Sequence, residues 1–217
     1  QEFIDALIAK DFHVVRFDNR YVGKSTWFGK EPVINKILKF LPSFILKTLV
    51  NSIFGLAVDD KGKFKFSENT KVQYNLSDMA QDAVSLMNEL QIKKAHIIGA
   101  SMGGMITQLI ALDHSDKVLS ITPIMTSPGI QNDSLSGPTN GLLEAMKKSF
   151  VFNLKGKLED GVVEIYRQLT GSRFPFNEAD FREKLIPVMA HGSNPFAQHG
   201  AAVGASADRT NRSVSYT

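Results

Sequence analysis

Lys94-Ala95-His96-Ile97-Ile98-Gly99-Ala100-Ser101-Met102-Gly103-Gly104-Met105-Ile106 is the stretch around which the chain is organised. Ala95 to Ile98 is a short apolar, β-branched run of the length of a buried strand. From Met105 the spacing turns helical, with Ile106, Leu109 and Ile110 on one face. Between the two lies Gly99-x-Ser101-x-Gly103, the G-x-S-x-G pattern of a nucleophile elbow at a strand-to-helix turn. Such a turn predicts that a Cβ at Gly99 or Gly103 collides with neighbouring backbone, and that Gly104 serves close packing. It also predicts a strained Ser101 whose Oγ faces solvent at the positive end of the following helix.

Composition bounds what such a turn can serve. The 217 residues are 43% hydrophobic and 22% charged, ordinary values for one soluble globular domain carrying an insertion. A net charge of +3, with no Lys/Arg-rich run, argues against a nucleic-acid partner. The absence of cysteine excludes disulfides, thiolate metal sites and a cysteine nucleophile, and suits a cytoplasmic location. Gln1 runs directly into an apolar helical pattern with no basic leader, so the chain reads as a fragment that starts inside a helix.

Phe3, Ile4, Leu7 and Ile8 share a helical face, which predicts a surface helix with one side buried. His13 to Asp18 reads as a strand. The Gly23-Lys24-Ser25-Thr26 that follows mimics a phosphate loop, but that loop needs a glycine where Asp18 stands, and the reading is rejected. Residues 27–74 form an apolar insertion. Within it, 33–58 could be a membrane span, yet Lys39, Lys47 and Pro42 lie in its middle. A charge at bilayer depth costs about 2.5–3.5 kcal/mol. Two short amphipathic helices folded over the core are favoured, ahead of membrane contact through 33–58 and of a span.

A helix is expected from a Ser77 N-cap through Leu90, and a strand over Val118–Met125 ending at Pro128-Gly129. The order so far, helix, strand, insertion, helix, strand, helix, strand, predicts an α/β fold with a parallel sheet. From about 134 only helices are expected, near 138–151, 157–170, 177–190 and 195–206, divided by Gly156, Gly171, Pro175 and Gly192. The domain reading is therefore a partial core over 1–133, a helical cap over 134–212, and the start of further core at 213–217.

A serine hydroxyl needs a base, a residue orienting that base, and donors for the developing oxyanion. The backbone N–H of Met102, next after Ser101, is one such donor in this architecture. The histidines are less telling. His13 opens a strand, His96 lies inside one, His114 closes the Ser101 helix, and His191 and His199 fall in the cap. Asp113, Asp116 and Asp133 read as helix-end and loop residues, and Asp18 as a turn residue close to the site. No acidic pair has metal-ligand spacing, and neither a metal nor a cofactor is called for.

Three blocks carry a family resemblance: Phe17-Asp18-Asn19-Arg20-x-x-Gly23-x-Ser25-Thr26, Leu76-Ser77-Asp78-Met79-Ala80-x-Asp82-Ala83, and His96 to Gln108. Together they resemble the α/β-hydrolase superfamily, and within it the aclacinomycin methylesterase-type serine hydrolases, from residue 1 to about 212, where Ala207-Asp208-Arg209-Thr210 looks like the end of the cap. The resemblance implies an incomplete hydrolase core with an inserted helical cap, Ser101 as nucleophile and the Met102 N–H as one oxyanion donor. It places the catalytic acid and histidine beyond Thr217 and the second donor before Gln1. Serine at the turn, not aspartate, argues against dehalogenase or epoxide-hydrolase chemistry. The expected substrate is a small or medium apolar ester. A peptidase or C–C bond hydrolase, and a ligand-binding protein without catalysis, are the alternatives; oligomeric state has no signal here.

Overall fold

The computed structural model describes residues 1–27, 33–60, 63–65, 72–128 and 137–192. Its centre is a parallel pair of strands, β1 (Ala95–Ala100) and β2 (Val118–Ile124). The helix α5 (Met102–Asp113) connects them, followed by a single 3-10 turn. The register sets Ile97 opposite Ile121 and Gly99 opposite Pro123. A proline donates no ladder hydrogen bond, so it suits a strand with a free edge.

Before β1 come α1 (Glu2–Ile8), α2 (Val33–Leu38), α3 (Ser43–Ala57) and α4 (Leu76–Glu89). The first of these has no buried residue, against the expectation of a buried face: Phe3 and Ile8 are both more than half exposed. The predicted strand at His13–Asp18 is also absent. The segment lies outside helix and ladder, although the Phe12 ring reaches His96 of β1 at 6.1 Å, edge to face. A strand exists through its pairing, and the only ladder among the described residues joins β1 to β2.

The core proper lies between the sheet, α5 and α4. Met79, Ala80, Ala83 and Val84 of α4 meet Ile106, Leu109 and Ile110 of α5, with Tyr21 and Tyr74 closing one end. Each of the larger aliphatic side chains and Met79, fully buried, contributes about 1.5–3 kcal/mol. The cap of α4 is Asn75, not Ser77. The Asn75 side chain accepts from the Ser77 and Asp78 amides, and the Asp78 carboxylate accepts from the Asn75 N–H, a reciprocal capping box. One turn further on, Asp82 accepts two hydrogen bonds from Arg20, at 2.6 and 2.8 Å, and these raise the guanidinium pKa further. Two of the sequence blocks are thus joined by one ion pair.

The last three helices among the described residues are α6 (Asn140–Leu154), α7 (Leu158–Leu169) and α8 (Glu178–His191), close to their predicted positions. The expected helix at 195–206, the 207–210 segment, the 213–217 segment, Asp133 and His199 lie outside the described residues. Gly161 of α7 faces Ser149 and Asn153 of α6, where a side chain would force the helices apart. Arg182 of α8 ties α7 through Glu159 at 2.7 Å and Asp160 at 3.0 Å.

The apolar insertion forms two helices, as expected, on either side of Pro42. They pack on α6, not on the sheet core as the sequence predicts: Leu46 and Val50 of α3 meet Val151 and Leu154 in a second core. Lys155 closes it by donating to the Lys39 and Leu41 carbonyls. No described helix is long and apolar enough to cross a membrane.

Candidate active site

Ser101 sits between β1 and α5 with φ 53° and ψ −120°. That is outside the helical, extended and ordinary left-handed regions, and such a conformation costs about 1–3 kcal/mol. Serine at a helix N-cap normally spends its hydroxyl on the first-turn amides. Here it makes no such bond, and the residue is exposed. The hydroxyl is therefore presented to solvent at the positive end of a twelve-residue helix. The Met102 and Gly103 amides beside it are first-turn donors, which a helix does not satisfy by itself.

The glycines divide the steric work differently from the expectation. A Cβ on Gly99 would run into the carbonyl and carbonyl carbon of Gly103, so that position must be glycine. A Cβ on Gly103 would meet nothing within 4 Å, which corrects the predicted collision there. Gly103 supplies the backbone that crowds Gly99, and its own side of the helix is open. Gly104 is close-packed, with a Cβ falling 2.5 Å from Thr126 Cγ2.

The turn is held from the end of β2. The Ser101 N–H donates to Ile124 O at 2.9 Å, and Thr126 Oγ1 donates to Ser101 O at 2.7 Å. Gln108, 7% exposed, donates to Gly104 O at 3.1 Å and to Ser127 O at 3.2 Å. Nothing in the spacing of the sequence marks the Thr126–Ser101 or Gln108–Ser127 contacts, because each joins the Ser101 turn and its helix to the segment after β2.

The histidines separate clearly. His13 is exposed in the extended segment, and His96 Nδ1 reaches Ser120 Oγ across the ladder at 2.8 Å. His114 ends α5, its amide donating to Ile110 O; Asp113 is the last residue of that helix and Asp116 lies in the 3-10 turn. His191, at the end of α8, has Nε2 2.7 Å from Asp18 Oδ1, so the ring N–H donates to the carboxylate. This pairing spans 173 positions and had no signal in the sequence. Gly23 makes room for it: at φ +51°, its missing Cβ would strike both Asp18 and His191. Its N–H also donates to Gly192 O at 2.9 Å. A cavity of about 310 Å³ with a mixed lining opens beside Asp18, walled by Phe17, Arg20, Ser25, Asp82 and Leu86 among others; Ser101 is not in its wall.

The His191 hydrogen bond holds the Asp18 carboxyl below the usual carboxylate range. A lowered folded-state pKa stabilises at pH above the ordinary value of about 4, and the contribution is lost as pH falls through the lowered one. Thermal unfolding of the native chain should therefore show a larger loss below about pH 4 than Asp18→Asn. Parallel acid limbs would show that the contact contributes nothing to the docking of α8.

A sequence profile of the alpha/beta hydrolase fold matches residues 1–157. The chain belongs to that family. The hydrolase-fold match ends in the link between α6 and α7, so it holds the Ser101 turn and all the elements that clamp it. The chain is also similar to rhodomycin D methylesterase DnrP of Streptomyces peucetius, 23% identical over 91% of this chain and 60% of the relative. The same figures apply to rhodomycin D methylesterase DauP of Streptomyces sp. strain C5. A shorter likeness, 32% over 30% of the chain and 24% of the relative, is to a proposed carbamate hydrolase, RutD, of Caulobacter vibrioides. This hydrolase-fold chain thus spans 60% of the length of the two methylesterases it resembles. Among the described residues no group of three or more metal-binding side chains converges.

Proposed function

We propose that this chain is part of a cytoplasmic serine hydrolase that cleaves carboxylic esters, methyl esters among them, through an acyl-enzyme. The observation that carries the reading is Ser101 itself, a strained, exposed serine whose hydroxyl caps nothing. Strain of this kind is retained where the chemistry needs it. The likeness to two methylesterases supports the ester bond. Ser101 Oγ would attack the ester carbonyl carbon as a base takes its proton. The carbonyl oxygen becomes the oxyanion, facing the Met102 N–H. Collapse expels the alcohol, which takes the proton back, and water then cleaves the acyl-enzyme to the free acid. The acid and histidine of the triad, and the second oxyanion donor, are proposed to lie outside these 217 residues.

Turnover of p-nitrophenyl and methyl esters, compared with aminoacyl and carbamate substrates, tests the reading on the full-length protein. Ester turnover lost in Ser101→Ala supports it. No turnover on any substrate, with a ligand still bound, would favour a binding protein.

The 217-residue chain alone is expected to react slowly or not at all with a fluorophosphonate probe, with no difference in Ser101→Ala. One missing donor costs about a hundred- to a thousandfold, and a missing triad member several orders more. Rapid Ser101-dependent labelling would instead mean that His191, His199 or another residue of this chain supplies the base.

Residues 33–58 are proposed to line an apolar acyl or alcohol pocket with the cap. Their second core with α6 supports this, as does the exposed apolar stripe Ile45, Leu49, Ile53 and Leu56 that flanks the buried face of α3. Liposome flotation is the check. Salt-resistant membrane binding that disappears on deleting 33–58 would replace the pocket with an anchor.

A further inference from the structure

We propose that Thr126 is a positioning residue: by holding the Ser101 carbonyl, its hydroxyl aims the Met102 N–H at the oxyanion. The inference rests on the serine-hydrolase reading and deepens it. The peptide joining Ser101 to Met102 is planar and trans, as are all the others described here. In a trans peptide the C=O and the N–H point in opposite directions. Whatever fixes the Ser101 oxygen therefore fixes the direction of the Met102 N–H on the other side.

That oxygen accepts from three donors. The Gly104 amide at 2.9 Å and the Met105 amide at 3.3 Å belong to the first turn of α5 and come with any helix start. Thr126 Oγ1, at 2.7 Å, is the shortest of the three and comes from the segment just after β2. It locks the peptide to the sheet instead of leaving it to follow the end of the helix.

The surroundings are built for this contact. Met125, between Ile124 and Thr126, has φ +45° and is 71% exposed, so packing does not account for the kink. A methionine in that region costs about 1 kcal/mol or more. The kink lets two residues, Ile124 and Thr126, take the N–H and the C=O of the same Ser101. Gly104 is stripped to a hydrogen where the Thr126 methyl lies. Gln108 then braces the next residue, Ser127, against the Gly104 carbonyl. A hydroxyl that merely filled a surface hydrogen bond would need none of these.

Preorganised donors act on the transition state more than on the bound substrate, so the effect belongs in kcat. The test is made in the full-length protein with a p-nitrophenyl ester and a trifluoromethyl ketone, which forms a tetrahedral adduct. Thr126→Val keeps the methyl and loses the hydroxyl. It should lower kcat about tenfold, less than the hundred- to thousandfold of a deleted donor, with KM within about twofold. Affinity for the ketone should fall by a similar factor. Thr126→Ser keeps the hydroxyl and should restore kcat to within about twofold of the native value. Native kcat in Thr126→Val, or equal losses in Thr126→Ser and Thr126→Val, would overturn the proposal. Should Thr126→Val fail to fold, Thr126→Ala replaces it; if neither hydroxyl-free variant folds, the hydroxyl is structural and the proposal falls. Ser101→Ala is measured in parallel. Unchanged turnover there sinks the hydrolase reading and this inference together, whereas an essential Ser101 beside an inert Thr126→Val sinks only this one.

Discussion

Ser101→Ala in the full-length protein is expected to reduce ester turnover by about ten-thousand- to a millionfold in kcat while the fold persists. The size follows from the role: without a nucleophile only the oxyanion donors and binding remain. Stability should not fall, because alanine in the same conformation loses no hydrogen bond that the serine side chain made to the helix. Ser101→Gly sharpens the point. Glycine adopts φ 53° without the Cβ clash, so this variant should be as inactive but up to about 1 kcal/mol more stable. A turn that gains stability when its serine is removed keeps that serine for chemistry. Thermal midpoints and ester turnover, measured on the same preparations, check both halves. A large drop in stability for Ser101→Gly would mean that the serine holds the turn together.

The second large effect is expected from Gly99→Ala set against Gly103→Ala. At Gly99 the added methyl meets Gly103 backbone, which has no flexible end to swing aside. Strand and helix would have to separate, at a cost of about 3 kcal/mol or more, with loss of activity. At Gly103 the methyl enters open space on the first turn of α5 and the backbone is not left-handed. Alanine is the better helix former, so Gly103→Ala should be neutral or up to about 1 kcal/mol more stable. Urea unfolding midpoints distinguish the two. Equal destabilisation would show that the pattern's two glycines carry the turn jointly.

The contrast between those glycines shows what the sequence could and could not convey. The Ser101 turn was legible because it is local: an apolar strand, a glycine pattern and a helical period follow one another within thirteen residues. Which glycine was crowded was not, since Gly99 and Gly104 are decided by atoms of Gly103 and Thr126 placed by the fold. His13–Asp18 has the alternation and branching of a strand, but propensity does not supply a neighbour, and no ladder forms there. Ser77 is a sound N-cap residue by type; Asn75 takes the position because Asp78 completes a reciprocal box with it. The two helices of the insertion show in its apolar spacing, but not their packing: they meet α6, about a hundred residues away in sequence, and not the sheet core. His191 was one cap histidine among others until the chain brought it to Asp18.

The account stands on Ser101 as the attacking group, and covalent capture reads that out most directly. The full-length protein is treated with a fluorophosphonate, digested, and the adduct mapped by mass spectrometry. A single rapid adduct on Ser101, absent from Ser101→Ala and blocked by an ester substrate, is the predicted result. Ester turnover by a protein whose adduct maps to another residue, or persists unchanged in Ser101→Ala, would contradict it.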